Sequence, residues 1–97
     1  MAQLALYAHL KAKPGKNAEV EAFLKSALPL AIQEQGTVRW YALKLGSGRF
    51  GIFDTFADAA GKEAHLSGEI AKALMAKASE LLAEPPQIHK IRVLANK

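Results

Sequence analysis

Cysteine is absent from the sequence, and its absence excludes several kinds of site. A chain without cysteine forms no disulfide, has no thiolate nucleophile and binds neither zinc nor an iron–sulfur cluster through thiolates. Long apolar runs are missing too, because no segment reaches the roughly 18 apolar residues of a membrane-spanning helix. We therefore expect a cytoplasmic protein with neither a secretory signal nor a membrane partner.

Charge is not concentrated in any one stretch. The chain has 13 basic and 9 acidic residues and a formal net charge of +4, with the lysines spread along its length. No run of about five or more like charges is present, so the pattern does not indicate a nucleic-acid partner. The 97 residues are enough for one hydrophobic core, and we predict a single domain over residues 1–97.

The spacing of apolar residues predicts a strand and a helix in the first third of the chain. Leucine and alanine alternate with polar or aromatic residues over residues 3–12, which is the period of a strand with one apolar face. After the turn sequence KPGK, apolar residues recur at helical spacing from about Asn17. Pro29 should bend this helix, and Gly36 should end it.

A hairpin is predicted in the middle of the chain. Residues 37–45 and 49–56 have the composition of strands, and Gly46-Ser47-Gly48 between them fits a three-residue turn. A turn of that length fixes which residues lie opposite each other. The predicted cross-strand pairs are Leu45 with Arg49, Ala42 with Ile52, Trp40 with Asp54, and Val38 with Phe56.

The remaining segments complete a βαββαβ order. Asp58 can cap a short helix that extends to Leu66, and a second helical segment follows until Pro85-Pro86 stops it. Residues 87–95 are the last predicted strand. This order predicts an α+β, ferredoxin-like fold: an antiparallel sheet with the first and third strands at its centre and the helices on one face.

The two faces of this sheet differ in what they should contact. The face under the helices is predicted to carry Leu4, Leu6, Ala8, Leu10, Val38, Trp40, Ala42, Phe50, Ile52, Asp54 and Phe56. The opposite face still carries large side chains, namely Tyr7, Tyr41, Leu43 and Phe53, which would lie in water on a monomer. Such a patch usually marks an interface, so we predict a homodimer that closes sheet against sheet.

Three patterns that suggest ligand chemistry fail on their context. GSGRFG matches a dinucleotide-binding glycine pattern, but it joins two strands rather than a strand and a helix. GRFGIFDT partly matches an RNA-recognition motif on the third strand, yet its stacking positions would leave Gly51, Phe53 and Thr55 to fill the core of a central strand. The three histidines lie on three different elements without metal-ligand spacing, so no metal site is expected.

Asp54 is the residue that most needs an explanation. A carboxylate under the helices requires a hydrogen-bond partner or a raised pKa, because burial penalises its charged form. It could cap a local amide or pair with Lys62 near the strand end. It could instead share a cavity with His65, whose helix starts directly after the same strand, unless His65 lies on the helix surface. Histidine titrates near neutral pH, which suits proton transfer.

Three stretches carry a family resemblance that covers nearly the whole chain. KPGKNAEVEAFL, EQGTVRWYALKL and FGIFDTFADAAGKEAHL resemble the antibiotic biosynthesis monooxygenase domain, including its quinol monooxygenase-like members. The resemblance implies a dimeric α+β barrel with a pocket between helices and sheet in each subunit. Members studied oxygenate phenolic or quinol-type aromatics with dioxygen and without flavin, haem or metal.

The resemblance implies a function and a set of site residues. The implied activity is a cofactor-independent monooxygenase that acts on a small phenolic, quinol or anthrone-like aromatic. His65 would be the base, and Asp54 its orienting partner or the alternative base. The expected substrate-binding residues are Leu6, Ala8, Trp40 and Phe56. The alternative is a non-catalytic dimeric module that binds a small apolar ligand.

Overall fold

The computed structural model describes residues 3–97, which form four strands and four helices. In chain order these are β1 (Gln3–Lys11), α1 (Asn17–Ser26), α2 (Leu28–Gln33), β2 (Thr37–Gly46), β3 (Arg49–Phe56), α3 (Ala59–Leu66), α4 (Glu69–Leu81) and β4 (Gln87–Val93). The strands form one antiparallel sheet in the order β2-β3-β1-β4. The α+β, ferredoxin-like fold is thus confirmed, with the first and third strands in the centre. No helix within residues 3–97 is long and apolar enough to cross a membrane.

The region predicted as one bent helix consists of two helices. α1 ends at Ser26, and Ala27 separates it from α2, whose first turn contains Pro29. Proline fits there because the first turn of a helix needs no N–H donor from that position. α2 ends at Gln33, three residues before Gly36. The prediction that Pro29 bends a continuous helix and that Gly36 ends it is therefore wrong.

Gly36 instead allows the backbone to approach α3 closely. A Cβ atom on Gly36 would lie 2.6 Å from the Cα of Gly61, and one on Gly61 would lie 2.7 Å from the carbonyl oxygen of Gly36. α3 itself begins as predicted, because the Asp58 side chain accepts a hydrogen bond from the Gly61 N–H at 2.8 Å. The α2–β2 loop is thereby held directly against the first turn of α3.

The middle of the β2–β3 hairpin has the predicted register, but its turn differs from the predicted one. Gly46 lies opposite Arg49, so the turn is only two residues long, and Gly48 takes a φ of 74°. Leu45 does not face Arg49; it is an extra residue between two paired positions, and this bulge compensates for the shorter turn. Beyond the bulge Trp40 lies opposite Asp54, as predicted.

A second irregularity changes the far end of β2. The register shifts between Thr37 and Arg39, so Thr37 rather than Val38 lies opposite Phe56. Val38 is 43% exposed, and Ala42 is exposed as well, so neither belongs to the core where the sequence placed them. β2 is an edge strand, and the helices leave part of it uncovered.

The main core lies between the central strands and the helices. It joins side chains of β1 and β3 to side chains of α1 and α4, among them Leu10, Val20, Leu24, Phe50, Ile52, Leu74 and Leu81. Phe50, Phe56 and Leu10 are among the largest fully buried side chains. On the opposite side of the sheet Tyr41 is 49% exposed, while Tyr7, Leu43 and Phe53 are half-buried. We call Tyr7, Tyr41, Leu43 and Phe53 the open face.

The Gly36–Gly61 contact generates a stability prediction. Alanine in a helix interior normally stabilises by about 1 kcal/mol relative to glycine. In Gly61→Ala the added Cβ would overlap the Gly36 backbone, so we expect a net loss of about 1–3 kcal/mol. Thermal unfolding followed by circular dichroism checks this, with Gly46→Ala as control because a Cβ there meets nothing within 4 Å. A Gly61→Ala variant with a raised melting temperature would contradict the contact.

Candidate functional site

Asp54 is a buried carboxylate held against a histidine. It lies on β3 with its side chain under the helices, and the residue is only 1% exposed. Its Oδ2 lies 2.7 Å from Nε2 of His65. Among the described residues it pairs with His65, and the two alternatives considered for it, a local amide or Lys62, are not its partners. Of the alternatives that the sequence left open, the structure thus has Asp54 beside His65.

His65 lies in the last turn of α3 and is buried rather than displayed on the helix surface. Its residue exposure is 8%. Its second nitrogen, Nδ1, is 2.5 Å from Oε1 of Glu34, in the loop between α2 and β2. The imidazole ring thus lies between two carboxylates that approach it from opposite sides. Glu34 was not predicted, because its position depends on a helix end and a backbone contact that the sequence pattern did not indicate.

The two carboxylates control the protonation of His65. Burial alone would lower the pKa of this histidine, since it penalises the imidazolium ion. Asp54 and Glu34 act against burial through their close contacts with the ring and their charge, and together they raise the pKa of His65 above its ordinary value. The two carboxylates therefore favour the imidazolium form of His65.

Both carboxylates have oxygens that accept no hydrogen bond from the described residues. The Nε2–Oδ2 contact is short, but its orientation is not that of a hydrogen bond, so we treat it as a charge contact. Within residues 3–97 both oxygens of Asp54, and Oε2 of Glu34, are buried without a hydrogen-bond partner. Buried acceptors of this kind are costly unless a ligand or water satisfies them. Asp54 can therefore accept a proton or a hydrogen bond from a molecule beside it.

A small apolar cavity adjoins Asp54 and His65. Its volume is about 50 Å³, and the two polar residues lie among aliphatic side chains. The aliphatic lining includes Leu6, Ala8, Ile52, Ile70, Leu74 and Ile88. Ile88 is 47% exposed, so the cavity comes near the surface between α4 and β4. Of the expected substrate-binding residues, Leu6 and Ala8 lie on this cavity.

Trp40 and Phe56 are not brought to the cavity wall. Phe56 is fully buried, and its ring centroid lies 5.3 Å from that of His65, so it packs against the imidazole. Trp40 is half-buried on β2, opposite Asp54, and packs against the hydrophobic core. These rings were expected to line the pocket because they lie on the helix-covered face of the sheet. The cavity adjoins only part of that face, and neither ring reaches it.

The other histidines take no part in this cluster. His89 stacks on Tyr7 with ring centroids 6.0 Å apart, and His9 lies near the same tyrosine on the side away from the helices. In the part of the chain that the structure describes, no three His, Asp or Glu side chains are grouped so as to hold a metal ion. Within the cluster itself the carboxylates contact opposite nitrogens of one ring rather than converging on a point.

The raised pKa of His65 predicts how stability changes with pH. Because the folded pKa lies above the unfolded value, the stabilising contribution is complete below about pH 6.5 and is lost as pH rises through the folded pKa. We expect the difference in unfolding free energy between wild type and His65→Gln to be largest near pH 6 and to shrink toward pH 9. Urea unfolding across that range measures it, and a difference that grows with pH would contradict the pairing.

The comparisons with known proteins place the fold in context. No family model matches the chain, and no curated protein matches it. The crystal structure of NE2512, a protein of unknown function from Nitrosomonas europaea, is 57% identical, with 100% of this chain and 94% of that chain covered and a TM-score of 0.97.

Two structures provisionally named as antibiotic biosynthesis monooxygenases share the fold at lower identity. The one from Nitrosomonas europaea is 16% identical over 95% of this chain and 90% of its own, with a TM-score of 0.83. The one from Caulobacter crescentus is 22% identical over 97% and 92%, with a TM-score of 0.80. The chain therefore belongs to one family with NE2512, and its fold is that of the antibiotic biosynthesis monooxygenase structures.

Proposed function

We propose that the protein is a cofactor-independent monooxygenase that uses dioxygen to oxidise a small phenolic, quinol or anthrone-like aromatic. The observation that carries the proposal is the buried carboxylate of Asp54, whose oxygens have no hydrogen-bond partner among the described residues and adjoin a mostly apolar cavity. The fold shared with structures provisionally named as antibiotic biosynthesis monooxygenases supports the same class of activity.

The chemistry requires a base in a dry site. Dioxygen reacts slowly with closed-shell molecules, and removing a phenolic proton makes the substrate electron-rich enough to react. The substrate itself then reduces dioxygen: one oxygen atom forms a bond to a substrate carbon, and the other leaves as water with two hydrogens from the substrate. Asp54 would accept that proton, which leaves a phenolate beside the imidazolium of His65. A cation at that position stabilises the developing negative charge, and the aliphatic lining keeps water out.

The cluster favours Asp54 over His65 as the base. A protonated imidazole carries hydrogen on both nitrogens and has no lone pair left to accept a proton. Each nitrogen of His65 faces a carboxylate, while Asp54 has unused acceptor capacity. We therefore assign the proton-accepting role to Asp54 and an electrostatic role to His65.

The size of the cavity limits how a substrate can bind. A cavity of about 150 Å³ accommodates benzene, and the one beside Asp54 is about 50 Å³. An aromatic substrate therefore requires the cavity to widen. Widening is easiest at Ile88, where the lining is half-exposed between β4 and α4.

A second candidate function is a non-catalytic module that binds a small apolar ligand in the same place. The aliphatic lining favours it, because apolar burial alone would hold such a ligand. The two functions differ in whether Asp54 transfers a proton or only accepts a hydrogen bond.

An oxygen-electrode assay separates the two. We expect oxygen uptake with at least one member of a panel of hydroquinones and anthrones, unchanged by a chelator. Asp54→Asn and His65→Ala should each lower kcat/KM by about 100-fold or more, the range of a lost acid–base group. Glu80→Gln, an exposed substitution on α4, is the control. Ligand binding without oxygen uptake on any compound would instead favour the binding module.

We also propose that two copies associate through the open face. Tyr41 stacks on Phe53 with ring centroids 6.4 Å apart, and Tyr41 remains half-exposed. Tyr7 lies close over Gly51, since a Cβ there would meet its ring at 3.0 Å. The aromatic groups thus lie against the sheet as a patch that a second sheet could cover.

A charge on the open face tests the proposed dimer. Phe53→Glu should give monomers or aggregates in size-exclusion chromatography with light scattering, because the buried charge would have no partner. Met75→Glu on α4, at a position 62% exposed, should leave the association unchanged. A Phe53→Glu protein with the same mass in solution as wild type would contradict this interface.

A further inference from the structure

His65 lies between two separate hollows. On one side is the apolar cavity of Asp54, and on the other is a groove of about 300 Å³ bounded by the α2–β2 loop, α3 and the start of α4. The groove is lined by Glu34, Gly36, Gly61, His65, Gly68 and Glu69, among others. The imidazole is thus reached by Asp54 from the inside and by Glu34 from the outside.

We propose that Glu34 is a positioning residue that keeps His65 protonated and oriented, and thereby leaves Asp54 as the proton acceptor that faces the cavity. The proposal rests on the proposed function and deepens it by separating the roles of the three charged groups. Glu34 does not line the Asp54 cavity, so it acts through His65.

The structure holds Glu34 in place from several directions. The Thr37 hydroxyl donates a hydrogen bond to Oε1 at 2.8 Å, the same oxygen that contacts Nδ1 of His65. Gly68 leaves room for the other carboxylate oxygen, since a Cβ there would lie 3.2 Å from Oε2. The close backbone contact of Gly36 with Gly61 fixes the loop one helical turn before His65.

The charge of Glu34 decides which group is basic. With a carboxylate at each nitrogen, the imidazolium form of His65, which carries a hydrogen on both nitrogens, is favoured. With Asp54 alone, a neutral imidazole would become easier to form and would offer a lone pair that competes with Asp54 for the substrate proton. Glu69 also lines the groove, with its side chain mostly exposed and 3.9 Å from Nζ of Lys72.

Glu34→Gln tests the proposal by removing the charge while keeping the shape. NMR titration of the His65 ring in the ligand-free protein is the first measurement, and we expect its pKa to fall clearly below that of wild type. With a substrate found in the oxygen assay, we expect kcat to fall at least 10-fold while KM changes less than about 2-fold. The pH profile of kcat should also shift, and Glu34→Asp should restore part of the activity. Glu63→Gln, an exposed substitution on α3, should match wild type in both measurements.

The outcomes distinguish this inference from the proposed function. An unchanged His65 titration in Glu34→Gln would overturn the role of Glu34, whatever the activity. A shifted titration with unchanged kcat would overturn its importance for proton transfer. Wild-type protein that consumes no oxygen would refute the proposed function while the titration still decides whether Glu34 controls His65.

Discussion

One imidazole shared by two carboxylates is the interaction on which the site depends. Asp54 is almost fully buried, and an isolated carboxylate in such surroundings would lose its charge. His65 supplies the compensating cation, burial works against that cation as well, and Asp54 and Glu34 both act to offset this penalty. Removing His65 would leave two buried carboxylates without a cation beside them, so the stability of the three residues is coupled.

The fold brings these three residues together from distant parts of the chain. Asp54 and His65 are close because α3 follows β3 directly and folds back over its end. Glu34 contacts the other side of the ring from the loop that follows α2. This loop packs closely against α3. Two glycines, Gly36 and Gly61, make that approach possible because neither carries a side chain to separate the backbones. The electrostatic balance of the site therefore depends on a purely steric contact.

Sequence reasoning predicted the fold and two of the three residues of the cluster, for physical reasons. Strand and helix periods, together with glycine and proline positions, determine the βαββαβ order. The pairing of Trp40 with Asp54 was correct even though the turn was shorter than predicted, because the bulge at Leu45 restored the alignment. Glu34 could not be found in this way, since neither period nor spacing predicts where a loop residue lies. Trp40 and Phe56 do not line the cavity, although they were expected to, because strand alternation predicts the side of the sheet but not the depth or extent of a cavity.

The small volume beside Asp54 has a thermodynamic consequence for recognition. Because the resting hollow holds little more than water, any ring-sized molecule has to bind an expanded conformer, and its apparent affinity is reduced by the fraction of molecules in that conformer. Ligands with the most apolar surface to bury recover the largest share of this cost. Selectivity would then arise from the free energy of expansion rather than from a preformed shape, and the closed conformer would shield the charged cluster between encounters.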